Sequence, residues 1–418
     1  MNFKFPSIWL IFAISLIIRL FISFYGTWVG YDEINFYKTG LAFWNDFTIP
    51  PRGQVIVYTG AHIPGSLQPV LLGSLYFLSK GEFWIIPTFI AFINTFAAYL
   101  IYILYHELFP KFNKVALASF IALTPWSLAN VKPWNPSFLP FLSIIFFIGL
   151  VRYLKDNSST RASFLMTASM MAAFQFNLSA VLLFGIFFIG LAVKKRLPSI
   201  KGAILGAMLP GIFLIPLIFA PKENVNSVFQ FNLDHLVYIF KVLTRSLGFI
   251  TPELSHFFTK GRILGFPHYE KTIVSVILYS FSIICTLFIL FHSIKFYSLR
   301  RLKCLLSFNW KDKNIYQKLD AILLVLPVMA GCSFIFSIKG PSSHTIWILY
   351  PFAFYPLLRI INESYPNILM PQKLKKRVFL LSSYILLSVS YTIYGSYYAK
   401  KLAPRPIDTP VNPQMFLK

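Results

Sequence analysis

Negative charge is scarce in this chain of 418 residues. Its 14 Asp and Glu stand against 38 Lys and Arg, the net charge is +24, and only 12% of residues are charged. Soluble domains carry about 25% charged residues. With 56% hydrophobic residues, that deficit excludes a soluble enzyme and a disordered chain. Cysteine is scarce too: Cys285, Cys304 and Cys332 share no metal-binding spacing and form no disulfide framework. The alternating segments of about ten residues that build a transmembrane β-barrel are missing. So are an internal repeat of the kind that builds paired transporter halves, a low-complexity tract and a soluble domain.

What the chain has is long apolar blocks separated by short basic stretches, the pattern of an all-α polytopic membrane protein. Blocks able to span fall at 8–25, 83–104, 115–131, 137–151, 162–176, 178–193, 202–219, 272–293, 320–338, 345–361 and 378–398. The expectation is therefore about 11 transmembrane helices in one integral-membrane domain over 1–418. The first block lacks a small-residue cleavage site and reads as a retained signal anchor. A further block at 67–79 rises only about 20 Å as a helix, short of the roughly 30 Å hydrocarbon core, and reads as a short non-crossing helix.

Basic residues orient the chain. With the N-terminus inside and 67–79 not crossing, the inside segments are 1–7, 105–114, 152–161, 194–201, 294–319 and 359–377. They hold 22 of the 38 Lys and Arg, against 15 in longer outer segments, with Arg19 within the first block. Lys194 to Arg196, Arg300-Arg301 with Lys303, and Lys373 to Arg377 all fall inside, as cytoplasmic loops require. The positive charge thus reads as loop anchoring on lipid, and nucleic acid is not an expected partner. The location expected is the plasma (inner) membrane, multi-pass, with a cytoplasmic N-terminus.

This orientation gathers the polar oddities on the outer face. They are Tyr31-Asp32-Glu33, the first outer loop 26–66, Trp134-Asn135-Pro136, Gln175-Phe176-Asn177, the long outer loop 220–271 and Lys339-Gly340-Pro341. One concave site facing the periplasm or exterior is the reading. Two adjacent carboxylates at the end of a spanning helix are costly unless wet, paired or used; the plain alternative is an acidic pair that solvates a helix end. After the pair, Ile34 to Trp44 reads as an interfacial helix, followed by Pro50-Pro51-Arg52-Gly53 and Gly60-Ala61-His62-Ile63-Pro64-Gly65.

Acidic pair, amphipathic helix and a polar-Pro-Gly turn entering a short helix resemble the first outer loop of GT-C glycosyltransferases. The resemblance is to the branch of protein O-mannosyltransferases, lipid A aminoarabinose transferases and RgtA/B/C/D-like transferases. Asp32 and Glu33 match the branch's Asp-Glu pair, and His62-Ile63-Pro64 matches its polar-Pro turn loosely. In hydropathy the likeness runs to about residue 220. It implies a polyprenyl- or dolichyl-phosphate sugar donor, a lipid, glycan or protein acceptor, inversion at the anomeric carbon and an outer-face site. Asp32 is then the general base for the acceptor hydroxyl, and Glu33 orients it, binds acceptor or helps hold a metal. The leaving phosphate needs cations. The arginine that aminoarabinose transferases place after the pair is absent here, or its role moves to Lys38. Those relatives bind a metal near the proline turn; His62 is the candidate ligand for a divalent ion, against the alternative of a solvated loop histidine. No other cofactor is implied.

Arg52, Arg262 in the long outer loop and Lys339 are further candidates for the donor phosphate; each would otherwise simply meet lipid headgroups. Asn135 and Asn177 are candidates for sugar hydroxyls, or ordinary turn residues. Two other classes compete. A surface-glycan polymerase or ligase would use His235, His256, His268, Arg245 and Arg262 of the long loop. A flippase or transporter of lipid-linked glycans would need charges deep in the membrane, where only Arg19 stands. The acidic pair separates these classes, being central to the first reading alone.

Overall fold

The structure, a computed structural model, describes residues 8–25, 31–56, 61–82, 84–221, 230–251, 273–298, 313–337, 340, 344–364 and 389. It is nearly all helical. The helices are α1 Ile8–Tyr25, α2 Tyr31–Asp46, α3 Leu67–Leu78, α4 Ile85–Leu108, α5 Lys114–Ala122, α6 Pro125–Ala129, α7 Leu139–Lys155 and α8 Thr160–Phe174. They continue with α9 Val181–Lys194, α10 Ile200–Gly211, α11 Ile215–Ile218, α12 Tyr238–Gly248, α13 Ile273–Ile294, α14 Ile315–Ser333 and α15 Tyr350–Ser364. A two-stranded antiparallel hairpin, β1 (Arg52–Val55) and β2 (His62–Pro64), pairs Arg52 with Pro64 and Val55 with His62. The expected block at 378–398 lies outside the described residues, save Val389.

Among the described residues four segments are long and apolar enough to cross a membrane: Ile85–Leu108, Asn135–Lys155, Ile200–Ile218 and Ile315–Phe336. The third is only 17% buried and bares Ile204, Leu205, Met208, Leu209 and Ile212. An apolar surface of that extent needs lipid rather than water around it. This is the architecture of a helical membrane protein.

Local sequence sets the ends and breaks. Pro125 disfavours helix at Thr124, so the block expected at 115–131 divides into α5 and α6. Thr124 then caps α6 by accepting from the Ser127 N–H. Ser159 and Ser199 cap α8 and α10 in the same way, and Asn314 with Gln317 forms a reciprocal capping box on α14. Gly202 and Gly206 let α10 lie directly on α8. A Cβ at Gly202 would come within 2.2 Å of the Thr160 carbonyl, and one at Gly206 within 2.2 Å of Thr167 Oγ1. Small residues four apart are a common device for close helix approach in membranes.

The polar segments separate to two ends. At one, Lys155 pairs with Glu107 at 2.6 Å, the Lys194 ammonium donates to the Leu154 carbonyl at 2.8 Å, and the Tyr316 hydroxyl donates to the Leu108 carbonyl. Arg359 bridges Asp320 and Glu363 there. In the same region the Ser158 hydroxyl and N–H donate to the Asp156 carboxyl and hold it below the usual carboxylate range. At the other end lie the turns 130–138, 175–180 and 230–237, which contact one another or the segments 334–337 and 344–349.

α3 does not cross between these ends. Ser66, which precedes it, donates from its N–H and its hydroxyl to the Phe213 carbonyl at 2.8 Å. α4, which follows it, begins with Phe89 against Phe138, so both ends of α3 meet the turn-rich end. α2 and α3 pack there around Phe36, Leu72 and Tyr76. The segment 220–271 is more than the outer loop expected of it. Within it α12 runs inward, and Val242, Leu247, Phe249 and Ile250 are buried in the main core.

Candidate functional site

The turn-rich end holds most of the polar residues singled out from sequence. α1 runs toward it: Trp9 lies against Tyr99 in the second half of α4, while Arg19 reaches Ser127. Asp32 and Glu33 do not extend α1, which ends at Tyr25. They fall in the first turn of α2, and their backbone alone is described. A helix N-terminus favours the ionised carboxylate, so this placement suits both a proton acceptor and a plain helix-end pair. Lys38, one turn on, is exposed.

The hairpin carries Arg52 on one strand and His62 on the other. The Arg52 guanidinium donates to the Pro221 carbonyl, tying the hairpin to the chain beyond α11. His62 is half-buried and is not without a partner. Among the described residues no three of His, Cys, Asp and Glu gather as a metal ion would need, so the described surroundings of His62 do not make a metal centre. Arg262 and Lys339 lie outside the described residues.

Asn135 and Asn177 come together, but their described bonds are structural. The Asn135 amide donates to the Phe176 carbonyl at 2.9 Å. The Asn177 side-chain oxygen accepts from the Ser179 N–H at 2.9 Å and opens the turn before α9.

Gln175 and Gln68 have structural weight that their sequence context does not signal. α10 passes after Gly211 into a tighter 3-10 turn, and carbonyls along this stretch take side-chain donors. Gln175 donates to the Pro210 carbonyl at 2.7 Å, and Ser66 serves Phe213. Gly65, at φ +87°, passes so close that a Cβ would meet Gln175 Oε1 at 2.3 Å. Gln68 accepts from the Gln54 N–H at 3.2 Å. Those partners fix both amide orientations, leaving Gln68 Nε2 as a buried donor and Gln175 Oε1 as a buried acceptor without a partner among the described residues. Asn94 is a further buried amide, donating to the Asn130 and Ser137 carbonyls at 3.0 Å each and holding the 130–137 turn.

Around these turns sits an aromatic layer. Trp134 packs on Trp347 at 5.6 Å, Trp126 on Phe249 at 5.1 Å, and the Lys132 ammonium lies 4.3 Å over the Trp134 ring. Carboxylates, cations, amides and aromatic faces at one end of an apolar bundle are a chemistry suited to a polar ligand brought by a lipid. No protein-family model and no curated protein matches this chain.

Proposed function

We propose that the chain is a membrane-embedded glycosyltransferase of the GT-C kind. It transfers a sugar from a polyprenyl-phosphate donor to an acceptor hydroxyl at the turn-rich end, which faces the periplasm or exterior. The observation that carries this reading is the Asp32-Glu33 pair in the first turn of α2, a helix that contacts the strand carrying Arg52. That pairing of elements is what the sequence resemblance leads one to expect of a first outer loop.

In the reaction the Asp32 carboxylate accepts the proton of the acceptor hydroxyl. The acceptor oxygen bonds to the anomeric carbon from the face opposite the phosphate. The bond from that carbon to the phosphate oxygen breaks, and its electron pair leaves with the polyprenyl phosphate. Inversion follows from single displacement. Glu33 orients Asp32 or the acceptor, and Lys38, Arg262 and Lys339 are the cations assigned to the leaving phosphate. The acceptor is a lipid, glycan or protein, and no step calls for a metal.

The test is transfer of radiolabel from a panel of polyprenyl-phosphate sugars to membrane acceptors by the purified protein. A general base contributes about a hundred- to ten-thousandfold, so Asp32→Asn should lose at least about a hundredfold in turnover while Glu33→Gln loses less. Near-normal transfer by a well-inserted Asp32→Asn protein would remove the mechanism. A polymerase or flippase has no particular need of Asp32.

A further inference from the structure

Arg19 is 1% exposed and lies within an apolar helix. Burying a guanidinium without a counter-charge costs several kcal/mol, so its surroundings should hold an anion. Among the described residues they hold none. Its Nε donates to Ser15 Oγ at 3.3 Å and one terminal nitrogen to Ser127 Oγ at 2.6 Å, both neutral, while the other terminal nitrogen, Nη1, has no partner. Tyr350, at the start of α15, completes the pocket. Its hydroxyl approaches Ser127 and Thr124 without closing a hydrogen bond and is likewise buried and unpartnered among the described residues.

What remains unmatched is dominated by the charge. The hydroxyls of Ser127 and Thr124 each accept once, from Arg19 and from the Ser127 N–H. The groups left over are the Nη1 protons and the Tyr350 hydroxyl, which can donate as well as accept, together with one positive charge. A water molecule could satisfy the donors but not the charge. The pocket lies close under the turn-rich end: Ser127 belongs to α6, immediately before the 130–138 turn, and Arg19 is six residues, about 9 Å of helix, from the end of α1. Phe249 packs against both Trp126 and Tyr350 beside it.

We propose that Arg19 and Tyr350 form an anion site that takes a phosphate group. Guanidinium and phosphate make strong charge-assisted hydrogen bonds, and phosphate is the anion that every phospholipid or polyprenyl phosphate carries to the membrane interface. The anion site stands on the buried charge. Only the choice of a lipid-borne phosphate over free phosphate rests on the glycosyl-transfer reading. Arg19 and Tyr350 are both buried in this structure, so binding requires their surroundings to open.

The experiment is thermal unfolding of the full chain in phosphate-free maltoside detergent, titrated separately with farnesyl phosphate, farnesol and inorganic phosphate. Stabilisation of a native-state site grows with ligand concentration, so each series gives an apparent Kd. Farnesyl phosphate should stabilise the protein and farnesol should not. Arg19→Gln should weaken the phosphate effect at least about a hundredfold, and Tyr350→Phe about tenfold, in line with the loss of charged hydrogen bonds. Equal stabilisation by inorganic phosphate, lost in Arg19→Gln, supports the site with free phosphate as its ligand. A wild-type protein indifferent to both phosphates overturns the proposal, and so does a shift that survives both substitutions. Should Arg19→Gln fail to insert, Tyr350→Phe decides alone, since it keeps the ring and removes one donor. The assay contains no sugar and needs no turnover, so its failure and that of glycosyl transfer are separately visible.

Discussion

At Gly65 three constraints meet in one residue. The backbone turns through φ +87°, the next residue is tied to Phe213, and Gln175 fills the space a side chain would need. A left-handed conformation costs a non-glycine residue about 1–2 kcal/mol. Gly65→Ala would also push Gln175 off the Pro210 carbonyl, and an unsatisfied buried acceptor costs about 1–3 kcal/mol more. We expect the melting midpoint of the detergent-solubilised protein to fall clearly. Gln175→Ala by itself should also destabilise, yet the double substitution should cost less than the two losses added, because removing the Gln175 amide removes the clash. Strict additivity would mean that the two residues do not compete for this space. The polar-Pro-Gly turn was legible in the sequence; its tie to Gln175 was not, because a contact between residues so far apart in the chain leaves no local pattern. The same holds for Asn135 and Asn177, whose amides look available for a sugar in sequence and each give one atom to neighbouring backbone in the fold. Arg19 was visible as an oddity, but its neighbours Ser127 and Tyr350 come from distant segments.

Hydropathy locates most helices, and their capping residues sharpen the ends. It misplaces what is not uniformly apolar. α12 carries Lys241 and Arg245, so it resembles a loop to any reading that looks for continuous apolar runs. Its buried residues Val242, Ser246 and Leu247 repeat at helical spacing, and that amphipathic period was the signal available. The interfacial helix begins at Tyr31 rather than Ile34, which moves the acidic pair from the end of α1 to the start of α2. Apolar blocks also say nothing of which helix lies on which, whereas glycine spacing does. α10 meets α8 through Gly202 and Gly206 and turns its apolar face outward. Gly206→Leu places atoms against Thr167 and the Phe164 carbonyl, 2.2 and 2.5 Å from the first side-chain carbon. Overpacking costs about 1–3 kcal/mol, and here a rigid backbone carbonyl resists relief. Leu209→Ala on the exposed face of the same helix should be close to neutral. Thermal melts of the two variants check this; equal losses would mean that the α8–α10 contact does not hold the helix in place.

Over the whole molecule, the division of charge read from sequence reappears as a division in space. Segments 105–114, 152–161 and 194–201, assigned to one side by their Lys and Arg, meet one another through the Lys155–Glu107 pair, the Lys194 contact with the Leu154 carbonyl and the bond between Thr160 and Ser199. The turns assigned to the other side meet the hairpin or one another. No membrane is needed to see this, since it follows from how the helices pack side by side, and it gives the topology a sharp test. In a protein whose three cysteines are replaced by serine, Ser158→Cys and Arg196→Cys mark the basic end, and Gln230→Cys and Asp234→Cys mark the turn-rich end. All four positions are exposed. If basic loops stay cytoplasmic, a membrane-impermeant maleimide added to intact cells should label the Gln230→Cys and Asp234→Cys variants and spare the other two. Those two should react once the membrane is permeabilised, which shows that their thiols are accessible in themselves. The reverse pattern would turn the molecule over and place Asp32 in the cytoplasm, where the acceptors of an outward-facing transferase are absent. Labelling of all four in intact cells would mean that the two ends do not lie across a membrane, and the bundle would then need another account of why Ile200–Ile218 keeps so much apolar surface bare.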